Sequence, residues 1–160
     1  MPIYQLREFS TKEGKHVGQP ILRSFMVFEE ANLVPTGTAE AKILLAQPIL
    51  NFIVPFIPTQ VSFSVLLMVS HLEINTKYDL EIIITNGTTG ESINKLNIII
   101  EEAQHANGVT PSGILMANVK NMILSSVGVY NLEAFIDGEK MGHCFFEVYK
   151  QEEVVNNVDS

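Results

Sequence analysis

The chain has 160 residues, 46% of them apolar and 18% charged, with a formal charge of −8 and a pI near 4.9. A field of that sign repels phosphate backbones and anionic headgroups, which argues against nucleic-acid partners and against docking on acidic membranes. The one cysteine, Cys144, cannot form an intramolecular disulfide, so a reducing, cytoplasmic compartment is expected.

This length makes one domain with a core that needs no staples. A mean hydropathy of +0.20 is apolar for such a domain. Either the core is unusually complete or part of the apolar surface faces a partner. Every long apolar stretch is interrupted by Pro, Gln, Asn or a charge, so no membrane insertion is expected. The start, "MPIYQLREFSTKEGK", carries charge too early for a signal peptide. Lysine outnumbers arginine, and Ile and Asn are plentiful, a usage that suits an AT-rich bacterial or phage genome.

In chain order, residues 1–20 read as a peripheral N-terminal hairpin turning at Glu13-Gly14-Lys15. Residues 21–150 carry the main domain, and 151–160 form a polar, acidic, flexible tail. Within the domain, "PILNFIVPFIPTQ" is a dense apolar run broken by Pro48, Pro55 and Pro58. Each proline removes a ladder donor and biases its predecessor to extended geometry, which excludes a helix or a central strand. Two readings stay open. In one, the run is an edge strand and crossover whose Leu50, Phe52 and Val54 cap the open end of a sandwich. In the other, Phe52, Ile53, Val54, Phe56 and Ile57 stand on a stiff loop as a protein interface, preorganised by the prolines. No Asp, Glu, Lys or Arg lies between Lys42 and Glu73, a long span without gatekeeping charge. Self-association or another protein partner is therefore expected through Leu50, Phe52, Ile53, Val54, Phe56 and Ile57.

Further along, "QVSFSVLLMVS" alternates Val61, Phe63, Val65, Leu67 and Val69 against Ser62, Ser64, Leu66 and Met68. That is a strand half-buried at its start and buried on both faces later. Tyr78, Leu80, Ile82 and Ile84 line one face of the next strand. After the turn chemistry of "NGTTG", Asn94, Leu96, Ile98 and Ile100 return. "TPSGILMANVKNMIL" admits a helix, with Thr110 as N-cap and Pro111 at the first position. A strand from Leu115 to Ile123 is the preferred expectation, because Gly113 and the β-branched residues weaken the helix. In the last unit Tyr130, Leu132, Ala134 and Ile136 alternate up to an Asp137-Gly138 turn, and Cys144, Phe146 and Val148 follow. Many short strands with turn signals predict an all-β, immunoglobulin-like antiparallel β-sandwich, with the N-terminal hairpin as an extra element.

The closing segment "SSVGVYNLEAFIDGEKMGHCFFEVY" resembles the last hairpin of an uncharacterised family of small bacterial immunoglobulin-like β-sandwich proteins, a domain of unknown function. The matching positions are Gly128, Tyr130, Leu132, Asp137, Gly138, Phe146, Glu147 and Val148. The resemblance spans about Ile21 to Tyr149 in weaker form and implies a fold without implying chemistry. Independently of it, a Tyr two residues after a Gly at the start of a penultimate strand suits a structural tyrosine corner at Tyr130.

Chemistry is sparse. His143 and Cys144 are neighbours, but successive strand residues face opposite ways, so Cys144 is expected to pack in the core. His16, His71, His105 and His143 show no zinc spacing, and neither metal nor cofactor is expected. The pairs Glu29-Glu30, Glu101-Glu102 and Glu152-Glu153 read as solvated surface acids rather than a catalytic dyad. A non-catalytic protein-binding or assembly module is the leading expectation. The alternatives are a carrier with an apolar inter-sheet cavity lined by Phe63, Met68, Met116 and Met122, and a hydrolase or nuclease with an unusual site.

Overall fold

The computed structural model describes residues 19–35, 41–101 and 111–152. Nine strands run through them: β1 Ile21–Pro35, β2 Ala41–Pro48, β3 Asn51–Val54, β4 Thr59–Ser70, β5 Tyr78–Asn86, β6 Ser92–Ile100, β7 Gly113–Leu124, β8 Gly128–Ile136 and β9 Glu139–Lys150. They form a four-stranded sheet in the order β2-β1-β4-β7 and a five-stranded sheet in the order β3-β9-β8-β5-β6. The alternating apolar positions are what hold these layers face to face. Val65, Leu67, Leu80, Ile82, Ile84, Leu132 and Phe146 are all fully enclosed in one core between the sheets.

The chain crosses between sheets after β2, β3, β4, β6 and β7, and joins β1 to β2, β5 to β6 and β8 to β9 as antiparallel neighbours. The row β9-β8-β5-β6 facing β4-β7 is the G-F-C-C′ layer over the B-E pair of an immunoglobulin-like sandwich. The antiparallel rule has one exception, since β3 pairs with β9 in parallel, Phe52 opposite Val148 and Ile53 opposite Tyr149. A crossover rather than a hairpin brings β3 to this sheet, which leaves its direction free to match its neighbour's.

The stretch open to helix or strand is β7, a strand laddered to β4 from Thr59 opposite Leu124 to Val69 opposite Gly113. Its alternation is interrupted at Asn121, where a left-handed backbone (φ 54°) accompanies a register shift between Val61 and Phe63. That kink puts Val119 and Met122, three apart, on the same buried side, a spacing that a helix would also give. The N-terminal hairpin expected over residues 1–20 lies outside the described residues apart from Gln19 and Pro20. So do His16, His105, Glu102 and Glu153. Of the tail, Gln151 and Glu152 are described, and both are helical.

A buried polar corner ties the β5–β6 turn to the β7–β8 connection. Asn86, almost wholly enclosed, donates from Nδ2 to Ser126 Oγ at 2.8 Å. Its Oδ1 accepts from the amides of Thr88 and Thr89 at 2.9 and 3.3 Å, closing the turn from within. Gly87 donates its amide to the Val129 carbonyl at 2.7 Å. A Cβ on Gly87 would sit only 2.7 Å from that oxygen, so the two segments meet this closely only because residue 87 lacks one.

Candidate functional site

The proline-broken run divides between core and surface. Pro48 and Pro55 bracket β3 and hold it to four residues on the edge of its sheet. Alternation then sends Phe52 and Val54 inward and Asn51 and Ile53 outward. The Phe52 ring lies 5.0 Å from Phe146, edge to face, and 5.9 Å from Phe63. Val54 is only 5% exposed. Beyond β3, the Ile57–Pro58 peptide is cis, and Ile57 is half-buried against the core.

The six residues expected at an interface are therefore not equivalent. Leu50, Ile53 and Phe56 are 73%, 58% and 62% exposed. Val54 has no surface to offer a partner, because its side chain fills the core, and Phe52 and Ile57 offer only part of theirs. The capping reading needs the opposite correction: Leu50 caps nothing and points to solvent, its carbonyl accepting from the Glu147 amide at 3.1 Å. A surface hollow of about 390 Å3, lined by Pro48, Leu50, Phe52 and Ile53 with Glu29 and Ser62, joins the end of β2 to β3.

Two further apolar surfaces escaped sequence reasoning. On β2, Leu44 is 58% exposed and Leu45 is 41% exposed. On the outer face of the four-stranded sheet, Leu66 is flanked in register by Met26 and Met116, and Met68 by Ile114. Leu66 is buried by those neighbours, whereas Met26, Met68 and Ile114 are exposed because no described element covers this face. Burial of β4 on both faces, which begins at Phe63, is thus interrupted at Met68 and resumes at Val69 and Ser70. Met68 and Met116 stand on the opposite face from Phe63 and Met122, so these four residues do not line one inter-sheet cavity.

Among the described residues no group of three or more His, Cys, Asp or Glu side chains converges. His143 is exposed opposite Glu133, and Cys144 sits opposite Leu132, half-buried against the core. Burial pushes the Cys144 thiol up to about 12. Ser70 Oγ lies 3.0 Å from His71 Nδ1, a contact within one turn of chain. No carboxylate among the described residues hydrogen-bonds the other ring nitrogen to orient it, as a nucleophile–base pair requires. No described helix is long and apolar enough to cross a membrane.

The Tyr130 side chain is a structural anchor. Its hydroxyl donates to the Ser126 carbonyl at 2.8 Å, and its ring stacks on Phe146 at 5.4 Å with the planes 7° apart.

No family model and no curated protein matches this chain. Solved structures share its layout distantly. An immunoglobulin-like protein from Pseudomonas aeruginosa is 10% identical, with a TM-score of 0.40 over 84% of this chain and 99% of that one. An alkylpurine DNA glycosylase from Pseudomonas fluorescens, bound to DNA with an abasic-site analogue, is 8% identical with a TM-score of 0.41. A β-D-glucoside glucohydrolase from Trichoderma reesei is 10% identical with a TM-score of 0.44. This chain spans 30% of the glycosylase and 19% of the glucohydrolase.

Proposed function

We propose that the protein is a non-catalytic binding and assembly module that associates with copies of itself through Leu50, Ile53 and Phe56. The observation that carries this reading is their exposure on a segment stiffened by Pro48, Pro55 and Pro58, inside a span without formal charge from Ile43 to Leu72. The prolines reduce the entropy lost when such a segment is ordered against a partner. The segment itself brings no charge to such a contact in a chain of charge −8, and Glu29 lines the adjoining hollow. The proposal extends to kinship with the uncharacterised bacterial immunoglobulin-like family, to a bacterial or phage origin and to a reducing, cytoplasmic setting. These rest on the closing hairpin, residue usage and the single Cys144.

Sedimentation equilibrium at micromolar concentration tests it. The wild-type chain should sediment as a multiple of its mass, and Phe56→Asp should shift it toward monomer with an unchanged circular dichroism spectrum. A clean wild-type monomer would overturn the proposal.

A further inference from the structure

Among the described residues the four-stranded sheet ends at β2, which pairs there with β1 alone and leaves its outer row of amides and carbonyls open. Other sheet edges carry devices that discourage strand addition. β3 is four residues long between prolines, β6 carries Lys95 and runs into Glu101, and β7 is kinked at Asn121 beside Lys120. On β2 the residues Ile43, Leu44, Leu45 and Ala46 carry nothing of the kind. Such devices stand only at its ends, Lys42 at one and Pro48 with Gln47 (φ 22°) at the other.

We infer that this edge is occupied by β2 of a second copy, antiparallel about a two-fold axis through Leu44, so that two four-stranded sheets join into one. The inference rests on the self-association proposed above and specifies its backbone contact. An open strand edge selects an extended strand as its occupant, because only another strand satisfies alternate donors and acceptors in a row. Two-fold symmetry with the axis normal to the sheet places residues of the same face opposite one another, so Leu44 opposes Leu44 or Leu45 opposes Leu45.

Charge then chooses the register. Within each chain Ala46 lies opposite Glu30, and Val34 opposite Lys42. With Leu44 on the axis, Lys42 faces Ala46 of the second copy, and Glu30 of that copy stands one strand beyond on the same face. The two side chains bridge about 10 Å, two strand spacings, over a methyl group that does not obstruct them. Symmetry supplies the contact twice. With Leu45 on the axis, Lys42 instead faces Pro48, whose β1 neighbour is Phe28, and finds no acid. Lys42 and Glu30 are both exposed, and among the described residues neither belongs to an ion pair within its own chain.

The test is sedimentation equilibrium on the full chain with Lys42→Glu, Glu30→Lys, and an equimolar mixture of the two. Each single variant brings like charges together at both contacts and should weaken the dimer by about tenfold or more, with an unchanged circular dichroism spectrum. The mixture should regain the wild-type affinity, because in the heterodimer both contacts again pair opposite charges. Wild-type dimers that neither variant weakens would overturn the β2 contact and leave association through Leu50, Ile53 and Phe56 standing. Variants that weaken the dimer without recovery on mixing would also overturn it. A wild-type monomer would overturn the inference and the proposed function together, leaving the edge to a strand of a different protein.

Discussion

The Tyr130 hydroxyl donates a 2.8 Å hydrogen bond to the carbonyl of Ser126, four residues upstream, while its ring stacks on Phe146 in the closed core. The same oxygen accepts from the Ser126 amide at 3.3 Å. One phenol thus satisfies both backbone groups of Ser126. Removing it in Tyr130→Phe leaves the ring's packing intact but strips the corner of its partner. Urea denaturation should show a loss of about 1–3 kcal/mol with an unchanged m-value. A variant as stable as wild type would count against Tyr130 as a structural corner.

Gly87→Ala tests the close approach of the two segments. The added methyl meets the Val129 carbonyl at 2.7 Å, and backbone on both sides resists retreat. The expected loss is about 1–3 kcal/mol, accompanied by faster exchange of the Gly87 amide, which now bonds Val129. Gly90, whose Cβ would meet nothing within 4 Å, is the contrasting site: there the cost comes from its positive φ of 73° and not from space.

Phe52→Ala and Phe56→Ala should separate core from surface within one short run. Phe52 contacts Phe63 and Phe146, so its truncation should cost about 2–4 kcal/mol in thermal or chemical unfolding. Phe56 is mostly in solvent, and its truncation should leave unfolding within about 0.5 kcal/mol while weakening association. Equal stability losses at both positions would place Phe56 in the fold rather than at an interface.

Cys144 gives a pH dependence with a defined sign. Burial raises its thiol from the usual 9.0 to about 12, so the folded chain holds this proton where the unfolded chain releases it. The Cys144 contribution to stability is complete below about pH 9 and is lost as pH climbs toward about 12. Cys144→Ala should flatten that part of the stability–pH curve. In the folded wild type, iodoacetamide at pH 8 should label the thiol far more slowly than after unfolding in urea.

Much of this architecture follows from local pattern. The alternation in β4, β5 and β8 sets which side chains face inward because a strand's period is two, and Asp137-Gly138 closes its hairpin by local backbone preference. At β7 the pattern was ambiguous for an identifiable reason: the left-handed Asn121 breaks the period, and a bulge is fixed by pairing with β4 rather than by the strand itself. Asn86 gave no signal at all as a buried group, because its partner Ser126 lies 40 residues away.

The sequence by itself determined a two-layer β fold, a net charge of −8, and a proline-broken run unfit for a helix or a sheet interior. Only the tertiary structure decided that Val54 lies in the core while Leu50 and Phe56 reach solvent, because the parallel seating of β3 on β9 sets that orientation across a long separation in sequence. It also decided that the apolar residues Met68 and Met116 look outward and that, among the described residues, β2 ends its sheet uncovered. Periodicity tells which residues share a face. Which face meets the other sheet, and which edge meets nothing, is settled only when distant strands pair.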